Sequence, residues 1–147
     1  MYFQDLLSEF SNELGIPPIK LDLAGNCELL IDGMKVSLSP LENGRVVKVG
    51  AESDRAFRSV KEDLVFMESL LEENLIGQKN APLVIGLNDE HHITFTLYVV
   101  LENLTVEIFN DMIARLVDCV ESWEVRITDA ATALLVAFAE SNIINFA

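Results

Sequence analysis

The chain has 147 residues, near the common size of one domain and long enough to bury a core without disulfides or metals. Half of its residues are hydrophobic, yet 24 acidic side chains against 10 basic ones give a net charge of -14. This balance disfavours binding to nucleic acid and contact with anionic membranes, because both depend on clustered Lys and Arg. So much apolar surface is hard to hide in one small protomer, and it predicts self-association kept soluble by like charge.

The first predicted element is an amphipathic helix from Tyr2 to Leu14, where apolar residues recur three and four positions apart. Gly15 and Pro17-Pro18 end it. A short extended piece, Ile19 to Asp22, and the turn residues Ala24-Gly25-Asn26 follow.

The stretch from Glu28 to Ser39 predicts a β-hairpin around Asp32-Gly33, because a type I′ turn requires positive φ at both central residues. Alternation places one set of residues on a core face and another on an outer face. The core set is Leu29, Ile31, Met34, Val36 and Leu38, and the outer set is Glu28, Leu30, Lys35, Ser37 and Ser39. Because Leu30 is apolar among polar neighbours, part of this surface is expected to bind something other than water. A third strand is predicted from Arg45 to Val49.

A second helix is predicted from about Ser59 to Ile76, where apolar residues again follow helical spacing and Gly77 closes the segment. Two strands come next, Leu83 to Leu87 and Ile93 to Leu101. Both faces of the longer strand are fairly apolar. An antiparallel strand of this kind is usually covered on both sides, by its own helix and by another chain or segment.

Thr105 can cap a last long helix. Its apolar stripe favours a helix packed on a sheet over a coiled coil, and consists of Val106, Phe109, Ile113, Leu116, Val120 and Trp123. A separate short helix, Asp129 to Glu140, is expected before a frayed end. The element order α-β-β-β-α-β-β-α predicts an α+β fold with a largely antiparallel sheet, in one domain over 1–147 with 128–147 as a helical tail.

The sequence contains little that indicates catalysis. Asp89-Glu90-His91-His92 has the side chains of a metal site, but adjacent histidines on a strand point to opposite faces and no distant third ligand is evident. Neither a nucleophile motif nor a phosphate-binding glycine loop is present. We therefore expect no enzymatic activity, no metal and no cofactor. A small acidic enzyme or ligand-binding protein using the His91-His92 turn remains the alternative.

Three further features indicate a cytoplasmic location. Cys27 and Cys119 lie in apolar patterns, as buried thiols of a reducing compartment do. The N-terminus carries Asp5 and Glu9 and lacks the basic region of a secretory signal. The charge-free apolar run Ala130 to Ala139 is about half of the ~20 residues that a membrane helix needs.

The segment LLSEFSNELGIPPIKLDLAGNCELLIDG resembles the opening of the class I type III secretion chaperones, the Tir-chaperone-like (CesT) family. In that family an N-terminal helix ends in Leu-Gly, here Leu14-Gly15. An Asp and a Gly follow, here Asp22 and Gly25, and then a strand leads to a second Asp at a turn, here Asp32. The likeness extends over about residues 1 to 140. The Ala-rich tail and Pro17-Pro18 depart from the family pattern.

The resemblance implies a bacterial homodimer, without enzymatic activity and without ATP, that binds an extended segment near the N-terminus of an effector protein. Binding keeps that client soluble and competent for secretion. Such a site works by β-augmentation: main-chain hydrogen bonds at a sheet edge supply affinity, and alternate side chains supply preference. The alternative in the binding class is a homodimeric adaptor of similar fold, unrelated to secretion, that binds a folded partner.

Residue predictions follow from this resemblance, each with core packing as its alternative. For client contact we predict Phe3, Leu6, Phe10, Leu30 and Val47. For the dimer interface we predict Leu64, Met67, Leu71, Phe95, Leu97 and Val99. Asp22, Gly25 and Asp32 are predicted to form turns.

Overall fold

The computed structural model describes residues 1–56, 68, 71, 72, 74 and 83–146, and side chains within 1–54, 68, 71, 72, 74 and 83–126. Two helices and five strands are complete in this part of the chain. They are α1 (Phe3–Leu14), β1 (Cys27–Ile31), β2 (Met34–Leu41), β3 (Val46–Ala56), β4 (Leu83–Leu87), β5 (His92–Val100) and α2 (Val106–Phe146), with a 3₁₀ turn at Glu42–Gly44. The strands form one antiparallel sheet in the order β1-β2-β3-β5-β4. The predicted α+β class is confirmed.

The predicted second helix lies mainly outside the described residues. Within it, Glu68, Leu71, Glu72 and Asn74 are described and are helical.

Helix α1 packs its apolar face on the core. Phe3, Leu6, Leu7 and Phe10 are buried, and the Phe10 ring meets Phe109 edge-on with centroids 5.1 Å apart. Gly15 ends the helix in the left-handed region at φ 66°, which a residue without Cβ adopts readily, and its N–H bonds to the carbonyl of Asn12.

The hairpin has the predicted register. Ile31 pairs with Met34 across Asp32 and Gly33, whose φ values are 51° and 79°. The two faces also match the prediction, because Leu29, Val36 and Leu38 are buried and the alternate residues face outward. This agreement follows from the two-residue turn, which fixes the register and with it the side of every later side chain.

The centre of the sheet is the long β3–β5 pair. Val47, Val49 and Ala51 of β3 face inward, as do Ile93, Phe95, Leu97 and Val99 of β5. The register is interrupted between Glu52 and Ala56, so β3 bulges at its end. There the buried Ser53 hydroxyl accepts a hydrogen bond from the N–H of Ile93 at 2.9 Å.

Helix α2 covers the same inner face of the sheet. The Thr105 hydroxyl accepts the N–H of Ile108 at 3.2 Å, as predicted for a cap. The predicted stripe is confirmed. Val106 packs against the core, and the other five residues are buried: Phe109, Ile113, Leu116, Val120 and Trp123.

The predicted separation between the last two helices is wrong. Helix α2 continues without interruption for 41 residues to Phe146, a length of roughly 60 Å at 1.5 Å per residue. The reason is local: the sequence from Trp123 to Asp129 contains neither Gly nor Pro, and the alanines that follow favour helix. Among the helices described, none has the length and apolarity needed to cross a bilayer.

Candidate functional site

The free edge of β1 exposes backbone groups that can pair with another strand. Hydrogen bonding alternates between the two sides of an antiparallel strand, and the two-residue turn makes Ile31–Met34 a bonded pair. Leu29 and Cys27 therefore bond to β2 as well. The N–H and C=O groups of Glu28 and Leu30 point away from β2, and no described strand lies on that side.

Leu30 is the apolar side chain of this edge, and 75% of its surface is exposed. Lys35 stands opposite it on β2 and forms a long ion pair with Glu28, with 3.7 Å between Nζ and Oε2. Both charged side chains are largely exposed, so this pair contributes little to stability. The edge thus combines open backbone, one exposed leucine and a weakly held pair of charges.

Four of the five residues predicted to contact a client lie in the core. Phe3, Leu6, Phe10 and Val47 are almost completely buried by α1, α2 and the sheet. Packing within the protomer explains their apolar character, and contact between them and a client stays a prediction. Leu30 is the one predicted client residue that the structure leaves exposed.

A groove of about 270 Å³ runs between α1 and the segment that follows it. It is lined by Gln4, Leu7, Ser8, Ser11, Pro18, Ile19 and Leu21. Its size and its mixture of apolar and small polar groups suit one large apolar side chain.

A tight loop connects this groove to β1. The Asp22 carboxylate accepts hydrogen bonds from the N–H groups of Ala24 and Asn26, each at 2.9 Å. Gly25 adopts φ 84°, a conformation that favours glycine. The predicted turn roles of Asp22 and Gly25 are therefore confirmed, as is that of Asp32 in the hairpin.

The outer face of the sheet carries the second exposed apolar surface. Val84, Tyr98 and Val100 lie on it with 52%, 45% and 59% of their surfaces exposed. We call these three residues the outer apolar patch. Phe95, Leu97 and Val99, which were predicted to form the dimer interface, alternate with them and are buried in the core of the protomer. Their place in a dimer interface stays a prediction. Leu71 is exposed, and Leu64 and Met67 lie outside the described residues.

Next to the patch, the outer face forms an open concavity of about 650 Å³. Its floor includes Ser37, Gly50, Thr94 and Thr96, and charged side chains such as Lys35, Lys48, Glu52 and Asp54 line it as well. Gly50 permits this arrangement, because a Cβ there would lie 3.1 Å from the Ser37 hydroxyl oxygen. A floor of small side chains lets a partner approach the strands closely.

The Asn88–His92 loop is held by its own hydrogen bonds. The Asn88 side-chain oxygen accepts the N–H groups of Glu90 and His92 at 3.0 Å each. The His92 Nδ1 donates to the carbonyl of Ser53 at 2.7 Å, which links β5 to the bulged end of β3. Within the described ranges, no three potential metal ligands lie together.

The thiol of Cys27 has a perturbed pKa. Burial, and to a smaller extent the nearby negative charge of Asp22, together raise its pKa from 9.0 to about 11. A neutral thiol of this kind is a packing residue and a poor nucleophile.

Sequence reasoning missed several polar contacts that join distant parts of the chain. Glu124 accepts the N–H of Asp54, which fixes α2 against the end of β3. Asn74 bonds to the backbone of Ile85. No sequence signal identifies these pairs, because their members are 70 and 11 residues apart and each residue type is ordinary on a surface.

The comparisons with known proteins agree with this fold. The sequence model of the Tir chaperone protein (CesT) family matches residues 5–124. No curated protein sequence matches the chain significantly. Among solved structures, a chain of the HopA1–SchA chaperone–effector complex is similar with a TM-score of 0.70 and 21% identity, over 83% of this chain and 92% of that one.

Two further structures are similar. A chain of the ExsC–ExsE complex has a TM-score of 0.62 and 22% identity, over 84% of this chain and 95% of that one. A chain of the complex between the Yersinia pestis type III secretion chaperone SycH and a stable fragment of YscM2 has a TM-score of 0.66 and 18% identity, over 81% and 97%. At these identities the likeness shows the fold.

Proposed function

Because the chain belongs to the Tir chaperone protein (CesT) family, we propose that it is a type III secretion chaperone that binds an extended N-terminal segment of an effector protein. The observation that carries the proposal is the open β1 edge, where the backbone of Glu28 and Leu30 and the Leu30 side chain are all accessible. Similarity to chains from chaperone–effector complexes supports it. The protein acts in the bacterial cytoplasm by binding alone, without catalysis.

Binding proceeds by addition of a client strand to β1. An incoming strand forms main-chain hydrogen bonds with Glu28 and Leu30. These bonds do not depend on which side chains the client carries. Specificity comes from apolar client side chains, one set covering Leu30 and another entering the groove beside α1. A segment whose backbone is paired with β1 cannot fold on itself, so the client remains extended.

We also propose that two copies associate through the outer apolar patch. Val84, Tyr98 and Val100 lie on the same face of the paired strands β4 and β5, and about half of each side chain is exposed. Exposed apolar groups collected on one face are candidates for contact with another protein chain. The strong negative charge keeps the dimer soluble. Light scattering on the variant Tyr98→Asp/Val100→Asp tests this: the parent should have the mass of a dimer and the variant that of a monomer, with unchanged circular dichroism.

The β1 edge can be tested by blocking one backbone N–H. In Glu28→Pro the ring replaces an N–H that points to the free edge, so the β1–β2 hydrogen bonds survive while strand addition is obstructed. The matched control, Glu28→Thr, removes the same charge and keeps the N–H. Each variant is co-expressed with the effector encoded beside the chaperone gene, and retention of its N-terminal fragment is measured.

We expect Glu28→Pro to lose the fragment and Glu28→Thr to retain it. Equal retention by the two variants would rule out β-augmentation at this edge. If the fragment that binds is a compact, independently folded domain, the adaptor function replaces the chaperone function.

A further inference from the structure

Among the described residues, the side chain of Asn74 binds the edge of β4 that faces away from β5. The Asn74 amide nitrogen donates to the carbonyl oxygen of Ile85 at 2.6 Å, and its amide oxygen accepts the N–H of Ile85 at 2.8 Å. Asn74 is helical and precedes β4 in the chain by fewer than ten residues. The side-chain amide therefore makes the same two bonds to Ile85 that a neighbouring strand would make.

The register explains why Ile85 is the residue bound. Val84 pairs with Thr96 and Gly86 with Thr94, so these two residues of β4 direct their backbone groups toward β5. Ile85 lies between them and directs its N–H and C=O to the open side. It is the middle residue of the five in β4, so one amide interrupts the edge at its centre.

Of the two sheet edges, β4 is the one more prone to pair with a strand of another chain. The strand sequence LVIGL contains no charge and no proline, which is the composition that promotes edge-to-edge pairing between chains. The other edge strand, β1, carries Glu28 and faces Lys35. Asparagine is a poor helix former, so its position in a helix is better explained by the bonds to Ile85 than by local propensity.

We propose that Asn74 closes the β4 edge to strand addition, so that the sheet is extended at β1 and two copies do not pair through β4. The inference concerns the protein alone and does not depend on a client. It also distinguishes the two edges of the sheet: β1 is open to a partner, and β4 is held by an amide of the same chain.

The test compares three variants of the full chain. Asn74→Ala removes both hydrogen bonds and leaves a neutral edge. Asn74→Asp keeps the shape, but it replaces the donor by a carboxylate oxygen facing the Ile85 carbonyl. Glu72→Ala is the control, because Glu72 is an exposed helical residue two positions away. Amide exchange of Ile85 is measured by NMR, and mass is measured by light scattering over a range of concentrations.

We expect the Ile85 amide to exchange roughly fivefold faster in Asn74→Ala and Asn74→Asp than in the parent and Glu72→Ala. This is about the factor expected for the loss of one hydrogen bond. Asn74→Ala should also form species larger than the parent as concentration rises, and Asn74→Asp should do so less because the new carboxylate places a charge at the edge. Unchanged exchange at Ile85 would show that the amide does not hold this edge. Faster exchange with the mass of the parent at all concentrations would show that it does not prevent pairing.

Discussion

Replacing Leu30 by Thr should weaken client binding while leaving the fold intact. Fully burying a leucine contributes about 1.5–3 kcal/mol, and 75% of the Leu30 surface is still exposed in the free protein. A client that covers it therefore gains roughly 1–2 kcal/mol from this side chain. Since 1.4 kcal/mol is tenfold in affinity, the dissociation constant should rise about tenfold. Threonine favours strands, so the β1 backbone is kept.

The assay is a fluorescence anisotropy titration with a labelled N-terminal effector fragment, accompanied by urea unfolding. Ile108→Thr is the matched control. Ile108 is also an exposed aliphatic residue, but it lies on the first turn of α2, away from the β1 edge. Both variants should unfold within about 0.5 kcal/mol of the parent, as surface substitutions do. If Leu30→Thr binds the fragment within twofold of the parent, or if Ile108→Thr weakens it as much, Leu30 is not a contact.

Three other predictions concern the protomer. Trp123→Ala should lower the free energy of unfolding in urea by about 3–5 kcal/mol, because it removes the largest fully buried side chain among the described residues. A cost under about 1 kcal/mol would contradict that packing. Thr105→Ala should cost about 1 kcal/mol in the same assay through loss of the cap on Ile108, whereas Thr105→Ser should cost little. Cys27 should be alkylated by iodoacetamide roughly a hundredfold more slowly in the native protein than in urea, because its pKa is raised from 9.0 to about 11. Since the folded state holds that proton more tightly, stability should fall between pH 9.0 and about 11, and this part of the fall should be absent from Cys27→Ala.

The elements that sequence predicted well are those fixed by short-range chemistry. The Asp32-Gly33 turn determines the hairpin register, and the register alone decides which side chains are buried. The stripe from Phe109 to Trp123 repeats often enough to define one face of α2, and Thr105 marks its start. In each case the deciding information lies within a few residues.

The choice between the two faces of β5 could not be made in this way. Phe95, Leu97 and Val99 alternate with Tyr98 and Val100, and both sets contain residues that a core accepts. The face that packs on α1 and α2 is decided by the register with β3, where Val49 pairs with Leu97. Amphipathic α1 presented the same difficulty, because its apolar stripe is equally suited to a core or to a client, and the structure shows it packed on the core.

The polar part of the site was beyond prediction because it depends on contacts between distant segments. An asparagine in a helical segment carries no sign that it will meet the edge of a strand, and the edge itself is defined only when β4 pairs with β5. The same holds for Leu30, whose exposure depends on β1 being the last strand of the sheet.

The two edges of the sheet differ, because β1 is open and β4 is bound by a side chain. This difference affects how the protein can bind a client without pairing with another copy of itself. A protein that binds extended, apolar segments must present an open strand edge, and an open edge also invites pairing with other copies of itself. In this chain the open edge, β1, is bordered by the charges of Glu28 and Lys35, whereas the uncharged strand β4 is held at Ile85 by Asn74. Two like copies that approach through either edge also bring together chains of net charge -14, a repulsion that a less acidic client does not meet. Raising the ionic strength should therefore increase self-association of Asn74→Ala more than it increases client binding by the parent, because screening removes the repulsion between copies.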